Sequence, residues 1–207
     1  MQHSLPPNRL LVVTDRRQAL LPFPFFLRDV IKVGGSWISV REKDLAYPER
    51  CNLLSQLEDY NASVFLTLHG PWEGQSLPSC VRGIHLSSGY DICSIRQKMG
   101  KDLRIGLSVH AGDRLDHISS ADVDYLMAGP VFPSASKLGY GPPLGEKGLE
   151  ALVKQTSLPV LAIGGITPRT APSALRAGAY GVAVMGSIMR SSDPKSLVQD
   201  LIEAIYD

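Results

Sequence analysis

From Leu158 to Met189 the chain reads LPVLAIGGITPRTAPSALRAGAYGVAVMGSIM. This is strand, glycine turn, amphipathic helix, strand and glycine turn, and few folds accommodate it. Pro159 to Ile163 and Gly181 to Met185 are short, nearly unbroken apolar runs, the pattern of parallel strands covered on both faces. Each stops at glycine. Gly164-Gly165 follow the first and Gly186-Ser187 the second, leaving backbone N–H groups bare where no Cβ blocks an anion. Thr167-Pro168 supplies an N-cap and an N1 proline for a helix running to Ala177 and stopping at Gly178. Two consecutive loops of this kind, late in a chain of alternating strands and helices, match the phosphate site that (β/α)8 barrels build after strands 7 and 8. A role as tight turns alone is the alternative for the same glycines.

A length of 207 residues suits one barrel, for which roughly 200 residues is the floor. One compact domain spanning 1–207 is expected. With 44% hydrophobic and 20% charged residues and a net charge of +1, the chain can bury a full core. It has no charge excess to draw in nucleic acid or an anionic membrane. Cys51, Cys80 and Cys93 are scattered, without CxxC or Cys/His zinc spacing, and read as reduced thiols of a cytoplasmic protein. MQHSLPPNR at the start has no basic leader followed by an apolar run, and no apolar segment approaches membrane-spanning length. Neither secretion nor membrane insertion is expected.

The remaining strands follow the same apolar signal. Leu10 to Thr14 is ended by Asp15, and Trp37 to Val40 by Arg41-Glu42-Lys43; Val64 to Leu68 runs into His69-Gly70. Gly83 to Leu86, Ile105 to His110 and Val123 to Met127 complete a set of eight with the two above. Helices are expected from Phe25 to Gly34, Pro48 to Asp59, Ile92 to Met99, Arg114 to Ser120, Glu146 to Thr156 and Pro194 to Tyr206, the last capped by Asp193. PWEGQSLPS after the third strand is poor helix material, so an irregular or very short helix is expected there. In a barrel the carboxyl ends of the strands face the active site. Arg41 and Lys43, two apart in extended backbone, point the same way and suit an anion, while Glu42 points away and is free to brace a neighbour. A solvated charge run is the plainer reading of the same residues. Ser108 and His110 share a side by the same alternation. The longest loop, Ala128 to Gly145, is rich in glycine, proline and serine and carries Ser134, Ser136 and one lysine, Lys137; loops of this length are commonly functional or disordered.

Six stretches then occur in order over nearly the whole chain: VREKD at 40–44, GIHL at 83–86, GLSVH at 106–110, DYLMAGPVFPSASK at 124–137, LPVLAIGGI at 158–166 and GVAVMGSIM at 181–189. Together they resemble the thiamine phosphate synthase and TenI family. The resemblance implies a single (β/α)8 TIM barrel acting on a small-molecule thiazole phosphate of the thiamine pathway. A homo-oligomer is compatible with the sequence, which does not set the subunit number.

The two branches of the family differ in chemistry. In the synthase, a pyrimidine diphosphate loses diphosphate and the thiazole nitrogen captures the resulting cation, so Mg2+ and several cations must neutralise the leaving group. Its pattern has an Asn-Asp pair ending strand 3 and an aspartate shortly after strand 4. This chain has His69-Gly70 at the first place and Ser87-Ser88-Gly89-Tyr90 at the second, with Asp91 one position late. Ser39 stands where synthases often carry glutamine, and a Thr-x-Thr-Lys element becomes Ser134-Ala135-Ser136-Lys137. These departures resemble the TenI branch, some of whose members are thiazole tautomerases. Such an isomerase moves a proton on a thiazole carboxylate phosphate until the ring is aromatic, and needs no metal or other cofactor.

A single acid–base group near neutral pH suffices for that step, and histidine has the suitable pKa. The resemblance places it at His110; a polar residue satisfied at a strand end is the alternative. Phosphate is assigned to Gly164, Gly165, Gly186 and Ser187. Substrate contacts are assigned to Arg41, Lys43, Ser108, Ser134, Ser136 and Lys137, with Lys137 or Arg41 on the carboxylate. His69 is assigned to the pocket lining and His85 to a half-buried strand position. Two readings stay open beside the isomerase. One is a synthase with Mg2+ on a shifted site using Asp91. The other is a non-catalytic binder of thiazole or thiamine phosphates.

Overall fold

The computed structural model describes residues 8–57, 64–72, 74–134 and 142–207. Eight parallel strands close on themselves in sequence order: β1 (Leu10–Val13), β2 (Trp37–Val40), β3 (Phe65–His69), β4 (Val81–Leu86), β5 (Arg104–Val109), β6 (Tyr125–Ala128), β7 (Val160–Ile163) and β8 (Gly181–Val184). Closure is direct: Leu10, Leu11 and Val12 of β1 sit in register with Val182, Ala183 and Val184 of β8. This is the expected TIM barrel.

Alternation along each strand divides the core in two. Leu11, Val13, Trp37, Tyr125, Met127, Leu161 and Ala183 fill the barrel interior, whereas Leu10, Val12, Ile38, Leu66, Ile84, Leu126 and Val182 pack outward among the helices. Strands with both faces covered need no polar face, which explains their unbroken apolar runs. At β8, a Cβ on Gly181 would collide with the Arg9 carbonyl of the neighbouring strand.

Helices α1 (Phe23–Lys32), α2 (Tyr47–Ser55), α3 (Ile92–Met99), α4 (Gly145–Val153), α5 (Ala171–Arg176), α6 (Gly186–Met189) and α7 (Pro194–Tyr206) surround the strands. Asp193 caps α7 by accepting from Ser196 N at 3.1 Å. Some expected helix boundaries shift, α4 for one ending at Val153 rather than Thr156. α1 starts at Phe23 because Pro24 falls in the first turn, where its missing N–H costs nothing. α2 is described only to Ser55, and its expected end at Asp59 lies outside the described residues. α5 begins after Thr170 rather than Thr167; the Thr170 hydroxyl turns back to Gly165 O at 2.9 Å and ties the helix entry to the preceding loop.

One expected helix is absent. Arg114 to Ser120 forms turns. Its short polar side chains capture the backbone locally: Asp113 accepts from His110 N at 2.8 Å and Ser119 Oγ from Ala121 N at 3.0 Å, bonds that compete with a helical ladder. Between β3 and β4 the described residues are irregular, as the composition of that segment predicts. Among the described residues no helix is long and apolar enough to cross a membrane.

Candidate active site

A cavity of about 380 Å³ opens at the carboxyl ends of the strands. One wall is backbone. Gly164 and Gly165 adopt φ of +95° and +65°, and Gly186-Ser187 start the short α6 beside them. All four line the cavity. The two glycines of the first loop are also packed from behind, because a Cβ on Gly164 would come within 2.7 Å of Pro130 and one on Gly165 within 2.6 Å of Phe132. Glycine is thus required at both positions by conformation and by space.

Arg41 and Lys43, beyond the end of β2, line the same cavity. The Lys43 ammonium is held below its ordinary pKa, first by the adjacent Arg41 guanidinium and second by burial. Two cations pressed together gain from an anion between them. Glu42 turns the other way and is 1% exposed. It accepts from Thr14 Oγ1 at 2.6 Å and from Arg16 N at 2.9 Å, while Thr14 Oγ1 accepts from Arg41 N at 3.2 Å. The buried carboxylate therefore braces the β1 and β2 ends and sets where Arg41 leaves the strand. Glu42→Ala is expected to cost about 2–3 kcal/mol, since it strands buried donors; urea unfolding measures it, and a loss below about 0.5 kcal/mol, the size of an ordinary surface substitution, would contradict the brace.

Between these walls stand His69, Ser87, Ser108, His110 and Met127. The His110 side chain is 35% exposed and its Nδ1 lies 3.7 Å from Asp113 Oδ2, too long for a hydrogen bond. It is a histidine at the cavity wall beside a carboxylate, and Ser108 shares its side of the strand. His69 is nearly enclosed, with Nδ1 3.5 Å from Ser39 Oγ and its ring centroid 4.7 Å from that of His85. His85 is wholly buried rather than half-buried, because the barrel closes over the inner face of β4.

Burial, with His85, Arg41, Lys43 and Arg50 nearby, holds His69 well below the ordinary histidine pKa; burial alone takes His85 down to about 3. Both are neutral in the fold. An unfolded histidine titrates near about 6.5, so below that pH the unfolded state binds more protons than the native one. Stability is therefore complete above that value and falls as pH drops toward the folded pKa, by up to about 1.4 kcal/mol per pH unit for each histidine. Urea unfolding at pH 7.5, 6.5 and 5.5 tests this before most carboxylates titrate. A flat profile would contradict neutral burial.

Ser134 lines the cavity, whereas Ser136 and Lys137 lie outside the described residues. Thr167 and Arg190 line it too and had no signal in the sequence. Thr167 reads there as a helix cap, and Arg190 follows a motif that ends at Met189. The Arg190 guanidinium is bonded to the Gln18 side-chain oxygen.

Magnesium is not matched by these residues. No carboxylate lines the mouth cavity among the described residues, and none of them form a group of three or more His, Cys, Asp or Glu able to hold a metal. Asp91 is spent elsewhere: it caps α3 by accepting from Ser94 N at 3.1 Å and faces a separate cavity of about 370 Å³ between α3 and the segment after β5. Asp91 thus does not line the mouth cavity, where a shifted site would need it.

Residues 10–188 match the family model described as thiamine monophosphate synthase. The chain belongs to that family. It is 32% identical over 183 residues to the thiamine-phosphate synthase of Lactococcus lactis subsp. cremoris strain SK11, covering 85% of this chain and 83% of the relative. To the thiamine-phosphate synthase of Vibrio campbellii it is 28% identical over 199 residues, covering 94% and 96%. Among solved structures, thiamine phosphate pyrophosphorylase from Pyrococcus furiosus superposes with a TM-score of 0.75 at 25% identity, over 96% of this chain and 95% of that one. The family is one of thiamine biosynthesis. These relatives carry the name of the transferase and not that of a tautomerase.

Proposed function

We propose that this barrel binds a thiazole carboxylate phosphate at its mouth and shifts a proton on the ring to make it aromatic, without a metal. The carrying observation is a cavity with an anion cradle at one wall, two cations at another and a histidine between them, lined by no carboxylate among the described residues. Phosphate is held by backbone N–H groups of the Gly164-Gly165 loop, where φ above zero and missing Cβ atoms bring the backbone close, and by those of Gly186-Ser187 at the start of α6. The carboxylate pairs with Arg41, with Lys43 adding charge and Lys137 as a further candidate. His110 takes a proton from one ring position and returns it to another; net charge on the pair is unchanged, so one group acts as base and then as acid.

A second reading is favoured by the names of the relatives: coupling of a pyrimidine diphosphate to thiazole phosphate with release of diphosphate. That chemistry draws on Mg2+ to neutralise the leaving group, and this chain offers Arg41 and Lys43 but, among its described residues, no carboxylate set to hold the ion. The test is sequential. Metal-stripped protein is incubated with thiazole carboxylate phosphate tautomer and aromatisation is followed spectroscopically; the pyrimidine diphosphate and Mg2+ are then supplied with thiazole phosphate. Turnover in the first assay is the expected result. Product only in the second would assign the transferase, and binding with silence in both would leave a non-catalytic binder.

A further inference from the structure

Directly under the cavity floor a polar chain crosses the barrel interior. Tyr125 of β6 and His85 of β4 are both wholly buried. His85 Nδ1 lies 3.1 Å from Tyr125 Oη, and His85 Nε2 lies 2.9 Å from Ser108 Oγ. Ser108, on β5 between them, is the member that reaches the cavity. Space for this chain is made by Gly106: a Cβ there would overlap the Tyr125 ring, its oxygen and His85 Nδ1.

A neutral imidazole has one N–H donor and one acceptor, and here each nitrogen has one partner. The phenol decides between them. Burial pushes the Tyr125 hydroxyl far above its ordinary pKa, so it keeps its proton, and a buried phenol needs an acceptor. Thr67 is the other hydroxyl nearby and sends its own proton to Ile38 O at 3.4 Å; an imidazole nitrogen is the stronger acceptor of the two. Nδ1 therefore accepts, and the His85 proton resides on Nε2. We propose that Tyr125 locks His85 in the Nε2–H tautomer, that His85 donates to Ser108 Oγ, and that Ser108 is thereby obliged to direct its hydroxyl proton into the cavity. Ser108 becomes a fixed donor for an acceptor atom of the ligand, a carboxylate oxygen or the ring nitrogen. His85 and Tyr125 are positioning residues that act through it. The ligand assignment rests on the function proposed above; the tautomer does not.

The first test is 15N NMR of histidine-labelled protein, with the His85 signals identified by their loss in His85→Gln. Protonated Nε2 and bare Nδ1, constant from pH 5.5 to 8, is the expected pattern; protonated Nδ1 overturns the proposal. Tyr125→Phe keeps the ring packing, edge-on to Trp37 at 5.1 Å between centroids, and is expected to give a mixture of the two tautomers; an unchanged tautomer shows that Tyr125 is not the lock. The second test is calorimetric affinity for thiazole carboxylate phosphate. Ser108→Ala is expected to weaken binding roughly tenfold, and Tyr125→Phe to weaken it in the Ser108 protein but not in Ser108→Ala. Equal losses in both backgrounds would show that the tyrosine does not act through the serine. If the wild-type protein does not bind this ligand, the functional reading fails while the NMR pattern still decides the tautomer.

Discussion

His110→Ala is expected to leave the barrel folded and to lower turnover of thiazole carboxylate phosphate by roughly 10²–10⁴-fold, the usual contribution of a positioned acid–base group. The side chain stands at the cavity wall, about one-third exposed, so its removal disturbs little packing. Its backbone N–H stays bonded to Asp113 in the variant, which keeps the segment after β5 in place. The loss should appear in kcat, with affinity within a few-fold of wild type, because the proposed phosphate and carboxylate contacts come from other strands. A matching loss of affinity would make His110 a binding residue, and unchanged turnover would remove it from the chemistry.

Gly165→Ala is the second large effect, and it acts on binding. At φ of +65° any side chain is strained, and the new Cβ would meet Phe132 Cβ at 2.6 Å and the Pro133 carbonyl at 2.7 Å. The backbone of the β6 loop, rather than a flexible side-chain tip, would have to move. Adding left-handed strain to overpacking gives about 2–4 kcal/mol of lost stability, together with at least a tenfold loss of affinity for the phosphorylated ligand, since the displaced N–H groups form the cradle proposed for it. Gly100→Ala is the control. Gly100 has φ of +71° and ψ of −164°, with nothing within 4 Å of its added Cβ, so it should carry the conformational cost of an essentially glycine-only region alone, about 1–3 kcal/mol, and bind as wild type. Equal affinities of the two variants would show that the Gly164-Gly165 loop does not hold the phosphate.

Much of this architecture is legible in the sequence. The apolar runs bounded by glycine or by charge mark all eight strands to within about two residues of their observed ends, because a strand covered on both faces has few polar positions to obscure it. The segment Arg114 to Ser120 misleads for the opposite reason: its helical spacing is real, but Asp113 and Ser119 capture backbone donors that a helix would need. At Thr167-Pro168 the regular helix opens only at Ala171, yet Thr167 does cap the turn before it: its Oγ1 accepts from Thr170 N at 3.3 Å and its carbonyl from Ala171 N at 2.9 Å.

Local spacing sets the order of strands, the glycines at their carboxyl ends and the parity that puts Ser108 and His110 on one side. Which residues become neighbours is a matter of how the barrel closes. The pairing of Tyr125, His85 and Ser108 across three strands follows from barrel closure and register, and no spacing along the chain records it. The same closure removes water from His69 and His85 and holds them neutral, whereas His110, past the end of its strand, stays at the wall of the mouth. Asp91 shows the converse, capping α3 and lining a different cavity. Burial and proximity are properties of packed elements, which is why the residue types were readable and their division of labour was not.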